Sequence, residues 1–148
     1  MREPLHRKPA TRGELRESGY VSRRIKAELR DNLLERLRSG TTAFPGIVGF
    51  DETVLPELES AVLAGHDLVI LGERGQGKTR LMRTLVGLLD EWSPQVAGCE
   101  IHDDPYAPVC VRCRTLAAEL GDELPVVWRQ RDERYTEKLA TPDTSVGD

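Results

Sequence analysis

Apolar residues recur at every fourth position along residues 22–39, at Ile25, Leu29, Leu33 and Leu37, and charged residues fill most of the positions between them. This spacing places the apolar side chains on one face of an α-helix. Gly40 follows as a stop signal. The pattern predicts an amphipathic helix over residues 22–40, with an apolar stripe that packs against another surface.

A second helix is predicted after a loop over residues 41–50 that contains Pro45, Gly46 and Gly49. Asp51 is placed to cap its first turn, and Gly65 follows its end at about residue 64.

The segment from His66 to Gly72 contains a continuous apolar run, Leu68 to Leu71, closed by glycine. Such a run is typical of a strand buried on both faces of a parallel sheet. A helix with a wide apolar face is predicted next, over residues 77–89. The order of strand, glycine loop and helix predicts an α/β fold.

The rest of the chain shows weaker patterns. Residues 1–21 have no periodicity and contain two prolines and two glycines, so we expect a flexible basic arm. After Trp92 the chain is rich in proline, cysteine and aspartate; it predicts a short helix over residues 115–120 and a short strand over residues 124–128. Residues 129–148 are polar.

The length of 148 residues suits one domain, and no apolar run approaches the ~20 residues of a membrane helix. The N-terminus lacks the apolar segment of a secretory signal, so we expect a cytoplasmic protein without a membrane partner. Three cysteines in a reducing compartment favour metal ligation or free thiols over disulfides.

Charge is unevenly distributed. Residues 1–40 hold 11 of the 21 Lys and Arg but 6 of the 25 Asp and Glu, so a basic head precedes an acidic body. A basic segment can contact nucleic acid, but here the basic residues alternate with acids and no aromatic residues accompany them. A solvated helix face is the favoured interpretation, and nucleic acid is not an expected partner.

The segment from Gly72 to Thr79 matches the phosphate-binding pattern Gly-x-x-x-x-Gly-Lys-Ser/Thr in full. Its glycines allow successive backbone N–H groups to curl around a phosphate. Lys78 would reach the β- and γ-phosphates, and the Thr79 hydroxyl would bind Mg²⁺. The alternative is a glycine turn without nucleotide. We assign ATP binding to the following residues: Gly72, Gly75, Gln76, Gly77, Lys78, Thr79 and Arg80.

Hydrolysis also requires an acidic residue at the end of a second apolar strand. The one similar segment, from Leu85 to Glu91, lies within the predicted helix and ends roughly 18 Å from Lys78 at 1.5 Å per residue. It is therefore not that strand. We expect the chain to bind Mg·ATP and to hydrolyse little on its own.

The spacing Cys-x2-His-x7-Cys-x2-Cys, formed by Cys99, His102, Cys110 and Cys113, suits a tetrahedral Zn²⁺ site. Asp103 and Asp104 would orient His102 from outside the ligand set. Two alternatives remain, ordinary thiols on a surface loop and a redox-active Cys-x-x-Cys pair.

Two segments resemble the magnesium-chelatase ATPase subunit I group of the AAA+ superfamily: residues 44–52, which read Phe-Pro-Gly-Ile-Val-Gly-Phe-Asp-Glu, and residues 68–79 with the phosphate loop. Asp104-Pro105-Tyr106 and residues 139–147 are weaker similarities. Phe50 departs from the Gln common in the family. The resemblance implies that the backbone of Ile47, Val48 and Gly49 lines the adenine pocket.

The resemblance also implies a partial three-layer P-loop core over residues 41–148, ending before the second acidic motif. Intact family members assemble into homo-oligomeric rings with ATP between neighbours. Two other functions remain open. One is a zinc-stabilised, non-enzymatic interaction module, and the other is a small kinase or GTPase, although no guanine-reading Asn-Lys-x-Asp is present.

Overall fold

The computed structural model describes residues 7–47, 53–72 and 77–138. These residues form five α-helices and one two-stranded sheet, with elements as follows: α1 (Arg12–Glu17), α2 (Ile25–Ser39), α3 (Val54–Ala64), α4 (Lys78–Thr84), β1 (Trp92–Val96), α5 (Val111–Leu120) and β2 (Val126–Gln130). Three 3₁₀ turns cover Leu85–Leu88, Gly121–Glu123 and Arg131–Arg134. Among these residues, no helix is both long and apolar enough to cross a membrane.

Helix α2 lies where the four-residue repeat predicts a helix and begins at Ile25. Gly40 ends it in the left-handed conformation, with φ at 70°. Leu33 is fully buried, whereas Ile25 and Leu37 at the two ends of the stripe are about half exposed. The apolar stripe therefore packs through its centre, against α3 and the 3₁₀ turn Leu85–Leu88.

Helix α3 begins at Val54 and ends at Ala64, and the residue after it, Gly65, is also left-handed. The proposed capping residue, Asp51, lies outside the described residues. Leu55, Leu58 and Val62 face α2 and complete the first of two hydrophobic cores. The buried members of this first core are as follows: Leu33, Ala43, Phe44, Leu55, Leu58, Val62, Leu81 and Leu88.

The strand predicted from His66 to Gly72 is not formed, so this prediction is wrong for the structure described here. Ile70 packs against the first core, but Val69 and Leu71 are 84% and 87% exposed. A parallel strand needs a neighbouring strand to pair its backbone groups. The sheet within the described residues contains β1 and β2 alone, so the run has no partner there.

The helix predicted over residues 77–89 is α-helical over Lys78–Thr84 and continues as a 3₁₀ turn over Leu85–Leu88. Leu81 and Leu88 are buried in the first core. This packing fixes the end of the phosphate-loop segment to α2 and α3.

Strands β1 and β2 pair antiparallel, with Trp92 opposite Gln130 and Val96 opposite Val126. β2 overlaps the predicted strand, whereas β1 was not predicted because Pro94 lies at its centre. Each strand of a two-stranded sheet is an edge, where proline is tolerated. Pro94 and Val96 point to the buried side of the pair.

The prediction of a flexible arm is wrong for the described part of residues 1–21. Thr11 caps α1 through its side chain, and Leu15 is fully buried. Backbone hydrogen bonds tie this segment to β2: Val126 N–H donates to the Ala10 carbonyl, and Arg12 N–H donates to the Leu124 carbonyl, both at 2.9 Å. This segment forms a helix that is stabilised by tertiary contacts, so the helix could not be predicted from periodicity.

A second hydrophobic core, formed by Val96, Cys99, Cys113 and Leu124, lies between the sheet and α5. Helix α5 begins at Val111, four residues before the predicted start. Two of the four buried residues of this core are cysteines, so the core is small and rich in sulfur.

Candidate metal centre and phosphate loop

Four side chains converge beside the second core: Cys99, Asp103, Cys110 and Cys113. Their potential ligand atoms all lie within 4.8 Å of one another, and the Cys99 and Cys110 Sγ atoms are 4.0 Å apart. All three cysteines are free of disulfides. Asp103 is 4% exposed, although aspartate is rarely buried to this extent in proteins. We refer to these four residues as the Cys3Asp cluster.

Local backbone structure positions each member of the cluster. Gly98, left-handed at φ 70°, turns the chain after β1 and places Cys99 on the buried side. Val96 N–H donates to the Asp103 carbonyl at 2.9 Å and holds the loop against the sheet. Cys110 occupies the N-cap of α5, and Cys113 follows in the first turn.

Backbone N–H groups point at three of the four side chains. The Asp103 N–H donates to Cys99 Sγ and the Cys113 N–H donates to Cys110 Sγ, each at 3.3 Å. The Cys110 N–H donates to a carboxylate oxygen of Asp103 at 3.0 Å. Hydrogen bonds to the charged form favour that form, so the contacts to Cys99 and Asp103 favour thiolate and carboxylate there.

The pKa values of Cys99 and Asp103 are shifted in the opposite direction to that of Cys113. Burial opposes the charged form of Cys99 and Asp103, but the hydrogen bonds they accept outweigh it, and both pKa values lie below their ordinary range. Burial and the neighbouring thiols raise the pKa of Cys113 to about 12. The surroundings of the cluster therefore favour the charged forms of Cys99 and Asp103 and disfavour that of Cys113.

His102 is not part of the Cys3Asp cluster, so its predicted place among the ligands is corrected. It is exposed and left-handed, with φ at 58°. Its side chain borders a polar cavity of about 170 Å³ that is also lined by Tyr20 and Asp104. The turn at His102 directs the next residue, Asp103, to the cysteines. Sequence spacing favoured the histidine because Cys-x2-His is a common ligand pair. The aspartate next to it was the sequence feature from which the alternative fourth member of the cluster could have been found.

Arg112 supplies a positive charge at the edge of the cluster. Its guanidinium donates to Cys113 Sγ at 3.7 Å and to the Ala97 carbonyl at 3.3 Å. An arginine held against a sulfur ligand offsets the negative charge of a thiolate site.

The described part of the phosphate loop consists of its two ends. Gly77 is left-handed, with φ at 75°, and directly precedes Lys78, the first residue of α4. The Lys78 ammonium donates to the Gly72 carbonyl at 2.5 Å, so it lies across the ends of the loop. Thr79 and Arg80 are exposed. Gly75 and Gln76 lie outside the described residues.

The predicted adenine-binding segment is described at Ile47, which packs half-buried against the first core. Val48 and Gly49 lie outside the described residues. The Arg80 guanidinium is 4.0 Å from the position that a Cβ would take at Gly46, so the segment and α4 are close. A cavity of about 390 Å³ lies between α3 and the run before the loop, with Lys78 in its lining.

No protein-family model, curated protein or solved structure matches this chain in sequence or structure comparisons.

Proposed function

We propose that this chain is a phosphate-loop nucleotide-binding module that binds Mg·ATP. The observation that carries the proposal is the complete motif from Gly72 to Thr79, which leads into α4 through a left-handed Gly77. A left-handed glycine before the first helical turn lets the backbone N–H groups face an anion at close range.

The motif assigns a role to each of its residues. The backbone of residues 72–77 surrounds the phosphates, Lys78 neutralises the β- and γ-phosphates, and the Thr79 hydroxyl coordinates Mg²⁺. In this proposal the Lys78 ammonium moves from the Gly72 carbonyl to the phosphates when ATP enters. Arg80 is exposed at the next position and lies near Gly46, where it can contact the bound nucleotide.

The resemblance to magnesium-chelatase ATPases extends the proposal to the AAA+ superfamily and to the cytoplasm. It suggests an adenine site beside Ile47, Val48 and Gly49, and a homo-oligomeric ring with ATP between subunits. Mg·ATP supplies the triphosphate for hydrolysis, but hydrolysis also needs an acidic residue that orients water. Asp90 does not supply this acid, because it pairs with Arg23 at 2.6 Å and with Asn32 at 2.9 Å. We therefore propose binding with little hydrolysis.

Calorimetric titration of Mg·ATP into the 148-residue chain tests this proposal. We expect micromolar-range binding that Lys78→Ala abolishes, because the variant lacks the charge that contacts the phosphates. Lys26→Ala is the matched control. Lys26 is also a surface lysine, paired with Asp67 at 2.9 Å, and it lies outside the motif.

Circular dichroism of each variant establishes that it is folded before the titration is interpreted. Equal binding by the wild type and Lys78→Ala would refute the site assignment. A folded wild type that gives no binding heat with Mg·ATP and none with ADP would refute nucleotide binding itself.

A further inference from the structure

We propose that the Cys3Asp cluster binds one structural Zn²⁺ ion, with Asp103 rather than His102 as the fourth ligand. The proposal does not depend on the nucleotide site. It rests on the convergence of Cys99, Asp103, Cys110 and Cys113 around one point and on the surroundings of these side chains.

The spacing of the ligand atoms fits a tetrahedral ion. Zn–S bonds of about 2.3 Å at tetrahedral angles place two sulfurs about 3.8 Å apart. The Cys99 and Cys110 Sγ atoms are 4.0 Å apart, and all four ligand atoms lie within 4.8 Å of one another. Small side-chain shifts therefore close the cluster around an ion without moving the backbone.

The donor set selects the metal. Three thiolates favour a soft or borderline ion and disfavour Mg²⁺ and Ca²⁺, which prefer oxygen ligands. An ionised carboxylate has about four lone-pair sites, so the hydrogen bond from Cys110 N–H leaves Asp103 able to bind the ion. Four protein ligands leave no open position, which makes the site structural rather than catalytic.

Surrounding groups already prepare the side chains for coordination. Two backbone N–H groups point at the Cys99 and Cys110 sulfurs, and Arg112 approaches Cys113 Sγ at 3.7 Å. Such contacts orient the ligand atoms before an ion binds. When Zn²⁺ binds, the thiols that are protonated release their protons to solvent as the Zn–S bonds form.

The position of the cluster indicates what the ion does for the fold. The ion would join the end of β1, the loop after β1 and the first turn of α5. Apart from the ion, a core of four buried residues packs these segments together. Arg12 links this unit to α1 by donating to the Ala117 carbonyl at 3.2 Å. Loss of the ion should therefore loosen the sheet, which carries both tryptophans, Trp92 and Trp128.

Metal analysis of the full chain, purified under reducing conditions and reconstituted with Zn²⁺, tests the proposal. We expect one zinc per chain. Cys113→Ser should lose it. Because changes even outside a ligand set cost about 10–100-fold in affinity, we expect Asp103→Asn to weaken zinc binding at least about tenfold.

Two controls separate the ligand from its neighbours. His102→Ala and Asp104→Asn should keep wild-type zinc affinity, since neither side chain belongs to the cluster and the Asp104 carboxylate instead accepts hydrogen bonds from Ser22 and the Tyr106 N–H. If His102→Ala loses zinc and Asp103→Asn keeps it, the assigned ligand set is wrong. A folded, fully reduced wild type that takes up no zinc would overturn the site, and so would a Cys99–Cys110 disulfide in the protein as purified.

Two measurements on the wild type avoid variants that fail to fold. Replacement of Zn²⁺ by Co²⁺ should give the visible absorption of a tetrahedral site together with thiolate-to-cobalt charge-transfer bands. An octahedral, oxygen-ligated cobalt spectrum would contradict the proposal. Removal of the ion with EDTA should change tryptophan emission, and adding Zn²⁺ should restore the original emission. Emission that stays unchanged after verified removal of the ion would refute the structural role.

Discussion

The Arg134 guanidinium donates two hydrogen bonds to the Glu28 carboxylate, at 3.0 and 2.7 Å, and the two side chains are 12% and 6% exposed. This pair connects α2 of the first core to the 3₁₀ turn that follows β2. Nearby, Arg23 just before α2 and Asn32 on α2 both donate to the Asp90 carboxylate, so polar contacts also tie α2 to the segment that precedes β1.

Removing one partner of the buried pair should destabilise the fold strongly. Arg134→Met leaves the Glu28 carboxylate buried without its partner, and we expect a loss of about 3 kcal/mol in the free energy of unfolding. The double variant Glu28→Leu/Arg134→Met should recover most of this loss, because two apolar groups replace two charges. Urea denaturation followed by circular dichroism measures both.

The exposed pair Arg16 and Asp122 is the control, with both side chains 60% exposed. Arg16→Ala should cost about 0–1 kcal/mol. A loss for Arg134→Met no larger than for Arg16→Ala would contradict the buried link.

Acid should weaken the contact between α2 and Asp90. Burial opposes the charged form of Asp90, but hydrogen bonds from Asn32 and Arg23 outweigh it and hold its pKa below the ordinary 3.8. A carboxylate whose pKa is lowered by folding stabilises the fold above its unfolded pKa of about 3.9, and this contribution is lost as pH falls through the folded value.

We therefore expect stability to fall from about pH 5 towards pH 3. Asp90→Asn should make this fall shallower, because the variant has no carboxyl to titrate. Asp132→Asn, at an exposed carboxyl, is the control. Parallel pH profiles for the wild type and Asp90→Asn would show that Asp90 contributes nothing to the acid response.

Substitution of alanine for glycine should change the stability of the fold in opposite directions at two positions. Gly65 ends α3 with φ at 71°, so Gly65→Ala should cost about 1 kcal/mol through backbone strain. Gly87 has no positive φ and open space where a Cβ would lie, so Gly87→Ala should gain about 0.5 kcal/mol by restricting the unfolded chain. Thermal denaturation compares them; a loss of stability at Gly87 equal to that at Gly65 would rule out the conformational explanation.

Periodicity predicted the helices that carry their own apolar stripe. The four-residue repeat through Leu33 and the glycines at residues 40 and 65 placed α2 and the end of α3 closely, because caps and stripes are local signals. Helix α1 escaped prediction since its one buried residue, Leu15, gives no repeat and its stability comes from contacts with residues more than 100 positions away.

The errors concern pairing and orientation, which a local pattern does not specify. The run from Leu68 to Leu71 predicted a parallel strand, but a strand requires a neighbour that local sequence cannot supply. The three cysteines of the predicted site converge in the structure, and metal binding by them stays a prediction. The approach of Asp103 rather than His102 accompanies a left-handed backbone at His102 that sequence spacing does not reveal.

Main-chain N–H groups of the phosphate loop that hold a triphosphate should exchange more slowly with solvent when Mg·ATP is bound. Amide hydrogen exchange of the full chain, with and without saturating Mg·ATP, tests it directly at peptides covering residues 69–82. We expect slower exchange in those peptides and unchanged exchange over α5 and the Cys3Asp cluster. Unchanged exchange over residues 69–82 at saturating Mg·ATP, or protection confined to another part of the chain, would contradict it.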